Sequence, residues 1–189
     1  MRMFVAVVPP EYVLEHLDEF LEPRREAGAF QWTLPEQLHV TLAFLGSVAD
    51  RHLDDLGDAL ERAATRRTPF DARLTAGGAF PDAARARVLY AGLEMSEAGR
   101  TELELLAAGA RAAASHTGIE VDGRRFRPHV TLARLGRPTE VTSWVRLLDT
   151  YAGPSWTVDQ ISLVESHLGE GPRRRPRYST VAEFPLSSG

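Results

Sequence analysis

Apolar positions along the chain fall into two kinds of run. Short stretches rich in valine, leucine and aromatic residues are typical of strands, whereas apolar residues three and four positions apart are typical of amphipathic helices. The first kind predicts strands at about residues 3–8, 38–45, 70–76, 87–93, 127–135, 156–164 and 178–184. The second kind predicts helices at about residues 11–27, 53–63, 103–110 and 141–148.

The order of these elements repeats. Each half reads strand, helix, strand, helix, strand, and the halves are offset by just under half the chain. Equivalent positions are Phe4 and Tyr90, His39 and His129, Gly46 and Gly136, and Phe70 and Trp156. A duplication with only two copies indicates two similar lobes facing each other rather than a solenoid.

We therefore expect a single α+β domain over residues 1–189, bilobal and with pseudo-twofold symmetry. Its lobes would be built from repeats at roughly 1–80 and 86–166, with a C-terminal strand at 178–184. Antiparallel sheets would surround a central cleft, and the helices would cover the outer faces.

Composition narrows the class of protein. The chain has 189 residues, 43% of them hydrophobic, which is enough to bury a core. It has no cysteine, so disulfides, thiolate metal sites and a cysteine nucleophile are excluded. No stretch approaches the ~20 apolar residues of a membrane helix, and we expect a cytoplasmic protein. The net charge of −4 argues against a sequence-blind nucleic-acid binder but allows a small basic pocket.

The sharpest feature is a repeated tetrapeptide. His-Val-Thr-Leu occurs at residues 39–42 and again at residues 129–132, and a Leu-Gly pair follows each copy. A single His-x-Thr in a strand is usually structural, because threonine favours strands. Two identical copies at matching positions of a duplicated unit instead favour a shared functional site.

The spacing places chemistry on one side of each strand. Residues two apart in a strand point to the same face, so His39 accompanies Thr41 and His129 accompanies Thr131. Two imidazoles can supply a base that takes a proton from water and an acid that gives one to a leaving oxygen. Threonine hydroxyls can donate to the non-bridging oxygens of a phosphoryl group, where negative charge develops. The pattern therefore indicates attack on a phosphodiester without a metal or another cofactor.

These motifs resemble those of the two-histidine (2H) phosphoesterase superfamily. Within it the chain resembles the bacterial and archaeal RNA 2′,3′-cyclic phosphodiesterases, also called LigT-like or 2′-5′ RNA ligase proteins. The resemblance covers nearly the whole chain and rests on residues 3–7, Trp32, and residues 38–46, 78–81, 126–134 and 163–166.

The resemblance implies a bilobal fold that hydrolyses a terminal 2′,3′-cyclic phosphate of RNA to a 2′-phosphate. It implies that His39 is the proton donor and His129 the proton acceptor, an assignment that the residues alone leave open. It also implies a phosphate role for Arg134. Strict alternation puts Arg134 opposite His129, so it would reach the cleft only through a β-bulge or at the strand end; a solvated arginine is the alternative.

Other side chains are weaker candidates. Residues that could contact RNA or stack on a base are Phe44, Phe126, Arg127 and Tyr178, with Trp32 as a further possibility; core packing is the competing interpretation for the aromatic ones. Two arginine clusters could hold the RNA backbone or form solvated loops: Arg124, Arg125 and Arg127, and Arg173, Arg174, Arg175 and Arg177.

The expected partners are RNA 3′ ends or oligonucleotides that carry a 2′,3′-cyclic phosphate, bound by a monomer without a membrane or a metal. Other enzymatic hypotheses keep the site and change the substrate to small cyclic nucleotides, ADP-ribose cyclic phosphates or 2′-5′ oligonucleotides, or run 2′-5′ ligation. A module that binds RNA ends without catalysis is the non-enzymatic alternative. A zinc hydrolase is disfavoured by the spacing of the remaining histidines.

Overall fold

The computed structural model describes residues 1–188, so Gly189, the last residue of the expected domain, lies outside the described residues. Nine strands are formed: β1 (Arg2–Val7), β2 (Gln31–Trp32), β3 (Val40–Ser47), β4 (Phe70–Phe80), β5 (Ala86–Met95), β6 (Val130–Thr139), β7 (Trp156–Val158), β8 (Gln160–His167) and β9 (Arg177–Pro185). The four α-helices are α1 (Glu11–Leu21), α2 (Leu53–Thr65), α3 (Glu97–His116) and α4 (Thr142–Leu148).

The strands form one antiparallel sheet in the order β7-β4-β5-β6-β3-β1-β8-β9, and β2 pairs with the side of β6. The sheet narrows at its centre, where β3 and β6 share only the pair Val40–Val130. We call the strands on one side of this pair the His39 lobe (β3, β1, β8 and β9) and those on the other side the His129 lobe (β6, β5, β4, β7 and β2). The predicted α+β fold is confirmed.

The strands of each lobe come from both repeats of the chain. The first repeat supplies β1 and β3 to the His39 lobe, but its third strand, β4, pairs with β5 in the His129 lobe. The second repeat in turn supplies β8 to the His39 lobe, where it pairs with β1. Each lobe therefore needs both repeats.

This exchange also divides the strand expected at 156–164. Its first part, β7, pairs with β4, and its second part, β8, pairs with β1. The chain passes from one lobe to the other at Asp159, whose carbonyl accepts a hydrogen bond from the Leu186 amide. The helix expected over 11–27 is likewise shorter, because a 3₁₀ turn over Glu22–Ala27, with Pro23 near its start, follows α1.

The helices join the two lobes. α3 contacts β3 of the His39 lobe and also β4 and β5 of the His129 lobe, and α2 packs on α3. Buried side chains from both lobes form a single main cluster, which includes Val5, Leu45, Leu89, Leu106 and Leu132. This shared core fixes the lobes relative to each other and so fixes the distance between the residues at the junction. None of the helices in residues 1–188 is long and apolar enough to cross a membrane.

Candidate active site

The two tetrapeptides meet at the junction of the lobes. Val40 and Val130 occupy equivalent positions of the two motifs and pair with each other, so the pseudo-twofold axis passes through them. In an antiparallel register this pair puts His39 diagonally across from His129, each beside the threonine of the other strand. The sequence placed the motifs in strands, and the structure starts each strand one residue after its histidine.

Each motif ends in a β-bulge. Val5 and Ala6 of β1 pair with Ala43 and Thr41, which leaves Leu42 as the extra residue of β3. Leu132 is the extra residue of β6 in the same way. Each bulge shifts the alternation by one residue, so that Phe44 and Arg134 are exposed on the face of the histidines while the following leucines are buried. The bulge that Arg134 required is therefore present.

Backbone carbonyls orient both imidazoles. Nδ1 of His39 lies 2.6 Å from the Gln37 carbonyl oxygen, and Nδ1 of His129 lies 2.6 Å from the Arg127 carbonyl oxygen. Because a carbonyl only accepts hydrogen bonds, each Nδ1 is the donor. Nε2 of each ring is thus left for the cleft. Nε2 of His39 lies 3.0 Å from Oγ1 of Thr41, and in the neutral ring it accepts a hydrogen bond from that hydroxyl.

Aromatic side chains pack on His39. The ring of Phe4 stacks on the imidazole with centroids 4.7 Å apart, and Tyr178 meets it edge-on at 5.6 Å. Phe4 and Tyr178 belong to a small cluster with Ala6 and Val164, on the opposite face of β1 from the main core. His39 is consequently half-buried.

His129 has a corresponding wall. Phe80 and Tyr90 stack on each other at 4.5 Å, and both meet the His129 imidazole edge-on, at 4.9 and 5.5 Å. The sequence pattern predicted no role in the site for Phe4, Phe80 or Tyr90. The repeat could have indicated Phe4 and Tyr90, because they occupy equivalent positions in its two copies.

The environment disfavours a positive charge on either imidazole. Burial lowers the pKa of His39 from its ordinary value of 6.5 to about 4, and the positive charges of His129 and Arg134 act in the same direction. Burial also lowers the pKa of His129, again with a contribution from Arg134. The Gln37 and Arg127 carbonyls oppose these shifts. Arg134 therefore lies close enough to act on both rings.

The remaining candidates divide into two groups. Phe44 is 47% exposed beside Phe4, with centroids 6.2 Å apart, and the Arg127 guanidinium lies 5.9 Å from the centre of the Phe80 ring. Phe126, by contrast, packs against the main core. Trp32 lies in an aromatic cluster with Phe30 and Trp144, in agreement with core packing.

A metal centre needs several ligating side chains that converge on one point. Within residues 1–188, no group of three or more His, Cys, Asp or Glu side chains is arranged to hold a metal ion. The chemistry available at the junction is that of two imidazoles, two hydroxyls and one guanidinium.

Comparison with known proteins identifies relatives over the whole chain. The model of the 2′-5′ RNA ligase superfamily matches residues 13–170. A Thermus thermophilus relative named RNA 2′,3′-cyclic phosphodiesterase is 33% identical over 188 residues, covering 98% of this chain and 90% of the relative. A crystal structure of a protein from the same species superposes with a TM-score of 0.78 at 32% identity, covering 100% of this chain and 99% of that one.

The crystal structure of E. coli LigT complexed with 3′-AMP has the same TM-score, 0.78, at 26% identity, and the match covers 98% of this chain and 97% of that one. The resemblance inferred from the two motifs is confirmed. The chain belongs to the 2′-5′ RNA ligase superfamily.

Proposed function

We propose that this protein opens a 2′,3′-cyclic phosphate at an RNA end to give a 2′-phosphate, using His39 and His129 and no metal. The observation that carries the proposal is the diagonal placement of two oriented imidazoles at the junction, with Arg134 acting on both. Relatives named RNA 2′,3′-cyclic phosphodiesterase support the general activity, and the 3′-AMP complex of E. coli LigT fits a nucleotide substrate.

In the proposed reaction, water attacks phosphorus while the bond from phosphorus to O3′ breaks. His129 takes the proton from water at Nε2, and His39 gives a proton from Nε2 to O3′, as the family resemblance implies. The free protein resists protonation of His39, because burial and the positive charge of Arg134 oppose it. A bound phosphate anion offsets that charge and favours the imidazolium that an acid requires.

Three side chains are proposed to hold the phosphoryl oxygens. The Arg134 guanidinium supplies charge-assisted donors, and the Thr41 and Thr131 hydroxyls supply neutral ones. Once His39 is protonated, its Nε2 no longer accepts from Thr41, so that hydroxyl is released toward the phosphate. We propose that Phe44 stacks on the terminal base and that Tyr178, beside His39, and Arg127, beside Phe80, are further RNA contacts, with Phe126 a weaker candidate because it packs against the core.

The decisive experiment uses an RNA with a 2′,3′-cyclic phosphate end, incubated with the protein in excess EDTA. We expect complete conversion to a 2′-phosphate terminus, identified by chromatography against 2′- and 3′-phosphate standards. Binding without conversion would favour a module that only recognises RNA ends. Loss of activity in EDTA would show that the reaction needs a metal ion. Monomeric state, cytoplasmic location and the lack of a cofactor stay predictions.

The pH dependence of kcat/KM tests the two-histidine mechanism, because it reports the ionisations of the free enzyme. Activity needs one protonated and one neutral imidazole. It is lost at low pH, where both rings are charged, and at high pH, where both are neutral. Both pKa values are lowered, that of His39 to about 4, so we expect the maximum between about 4 and 6.5. A maximum above neutral pH would contradict a mechanism that depends on these two histidines.

A further inference from the structure

The connection between β8 and β9 contains Arg173, Arg174 and Arg175, and Arg177 is the first residue of β9. We call residues 168–177 the arginine loop. Within residues 1–188, no carboxylate forms an ion pair with Arg173, Arg174 or Arg175, whereas Arg124 of the other cluster is paired with Asp122 at 3.0 Å. In a chain of net charge −4, the loop holds four arginines against one carboxylate, that of Glu170, which is paired with His167 at 3.2 Å.

The arginine loop is attached directly to the environment of His39. Nε2 of Gln37 donates to the Pro176 carbonyl at 2.7 Å, and the backbone carbonyl of the same residue accepts from Nδ1 of His39. Two residues further on, Tyr178 packs on the His39 ring. The backbone of the arginine loop therefore lies next to the first histidine, at the edge of the cleft.

The loop backbone is closed and locally unfavourable. The Gly171 amide donates to the Arg175 carbonyl at 2.7 Å, and the Arg175 amide donates back to the Pro172 carbonyl at 3.0 Å. Arg173 and Arg174 both adopt the left-handed region, with φ of 54° and 62°. Glycine takes this conformation freely, whereas residues with a side chain rarely adopt it. Arg173 and Arg174 nevertheless hold it, with exposed side chains.

We propose that the arginine loop is a subsite for the internucleotide phosphates of the RNA strand that leads to the cyclic end, and that Gln37 holds this subsite in register with His39. This inference rests on the proposed function and specifies its substrate class as oligonucleotides rather than mononucleotides. A polynucleotide end differs from a cyclic mononucleotide mainly in those additional phosphates, which arginines bind well.

The test compares a mononucleotide, 2′,3′-cyclic AMP, with a short oligoribonucleotide that ends in a 2′,3′-cyclic phosphate. The variant replaces Arg173, Arg174 and Arg175 together by glutamine. We expect kcat/KM for the oligonucleotide to fall about 10- to 100-fold, mostly through KM, and that for the mononucleotide to change less than about twofold. The slope of log(kcat/KM) against log[salt] should become shallower by about 2, as expected for three lost phosphate contacts on a single strand.

A matched control removes the same charge elsewhere. Arg51, Arg62 and Arg66 are exposed at or near α2, so their joint replacement by glutamine should leave the preference for the oligonucleotide unchanged. Gln37→Leu removes the bond to Pro176 and keeps the backbone carbonyl that orients His39. It should lower the ratio of kcat/KM for the oligonucleotide to kcat/KM for the mononucleotide, a change that a general loss of stability would not produce.

Two kinetic outcomes would overturn the subsite: equal loss on both substrates in the loop variant, or the same loss in the α2 control. Binding of a product oligonucleotide with a 2′-phosphate end is measured in parallel by fluorescence anisotropy. Should the wild type turn over neither substrate, the proposed function fails, yet weaker binding by the loop variant alone would still support the subsite. Equal binding by wild type and variant would reject it.

Discussion

Replacing either motif histidine by alanine is expected to abolish measurable turnover, with kcat/KM for the cyclic-phosphate RNA falling at least about 1,000-fold. A positioned acid or base contributes about 10² to 10⁴. The residues act as a pair, so the double variant His39→Ala/His129→Ala should lose little more than either single one. The rates are measured with the oligonucleotide substrate in EDTA, at the pH optimum of the wild type.

The matched control is His116→Ala, an exposed histidine at the end of α3, which should retain full activity. The structure also changes the expected side effect on stability. His39 is half-buried and stacked on Phe4, so its replacement by alanine also removes packing. His39→Gln, which keeps part of the packing volume, should therefore be tested beside His39→Ala. Full turnover by a folded His39 or His129 variant would reject the mechanism.

The position of the histidines was predictable because it depends on local pattern. A strand of period two, an identical motif and a glycine after it are all readable within about eight residues, and they occur twice. The pairing of the strands was less accessible. β4 and β8 occupy equivalent positions in two similar repeats, so their local patterns do not tell which partner each one takes. Long-range packing determines these partners. As a result, the third strand of each repeat pairs in the lobe that contains the histidine of the other repeat.

The division of β7 from β8 had the same cause. Apolar residues continue across Asp159, and hydrophobicity reports burial without reporting in which lobe a residue is buried. The aromatic walls were missed for a different reason. Phe4 lies in a run that is buried on both faces of the strand, so its alternation carries no information about which side faces a histidine. Only the placement of β1 beside β3 reveals it.

The site is asymmetric because Phe44 and Arg134 differ at equivalent positions. The repeats put Phe44 and Arg134 at equivalent positions, and both are brought to the cleft by equivalent bulges. At this pair of equivalent positions, one lobe thus presents a phenyl ring and the other a guanidinium. A phosphodiester end needs both kinds of contact, because the base is apolar on its faces and the phosphate is charged. The asymmetry therefore gives a nearly symmetric scaffold a preferred orientation for its substrate.

Arg134→Gln is expected to lower kcat/KM about 100- to 1,000-fold, the loss typical of a donor aimed at developing charge. Arg134→Lys should fall between this variant and the wild type, because lysine keeps the charge but not the paired donors of a guanidinium. Arg137→Gln removes an exposed arginine from the same strand and should change the rate less than about twofold.

A second measurement separates this role from a structural one. The positive charge of Arg134 lowers the pKa of both His39 and His129, so its removal should raise both pKa values. The imidazolium forms then persist to higher pH, and the maximum of kcat/KM should move in the alkaline direction in Arg134→Gln but not in Arg137→Gln. An unchanged rate together with an unmoved maximum would place the guanidinium away from the reacting phosphate. A slower enzyme with a shifted maximum would locate it at the phosphate, since only a charge that faces both imidazoles can alter both quantities.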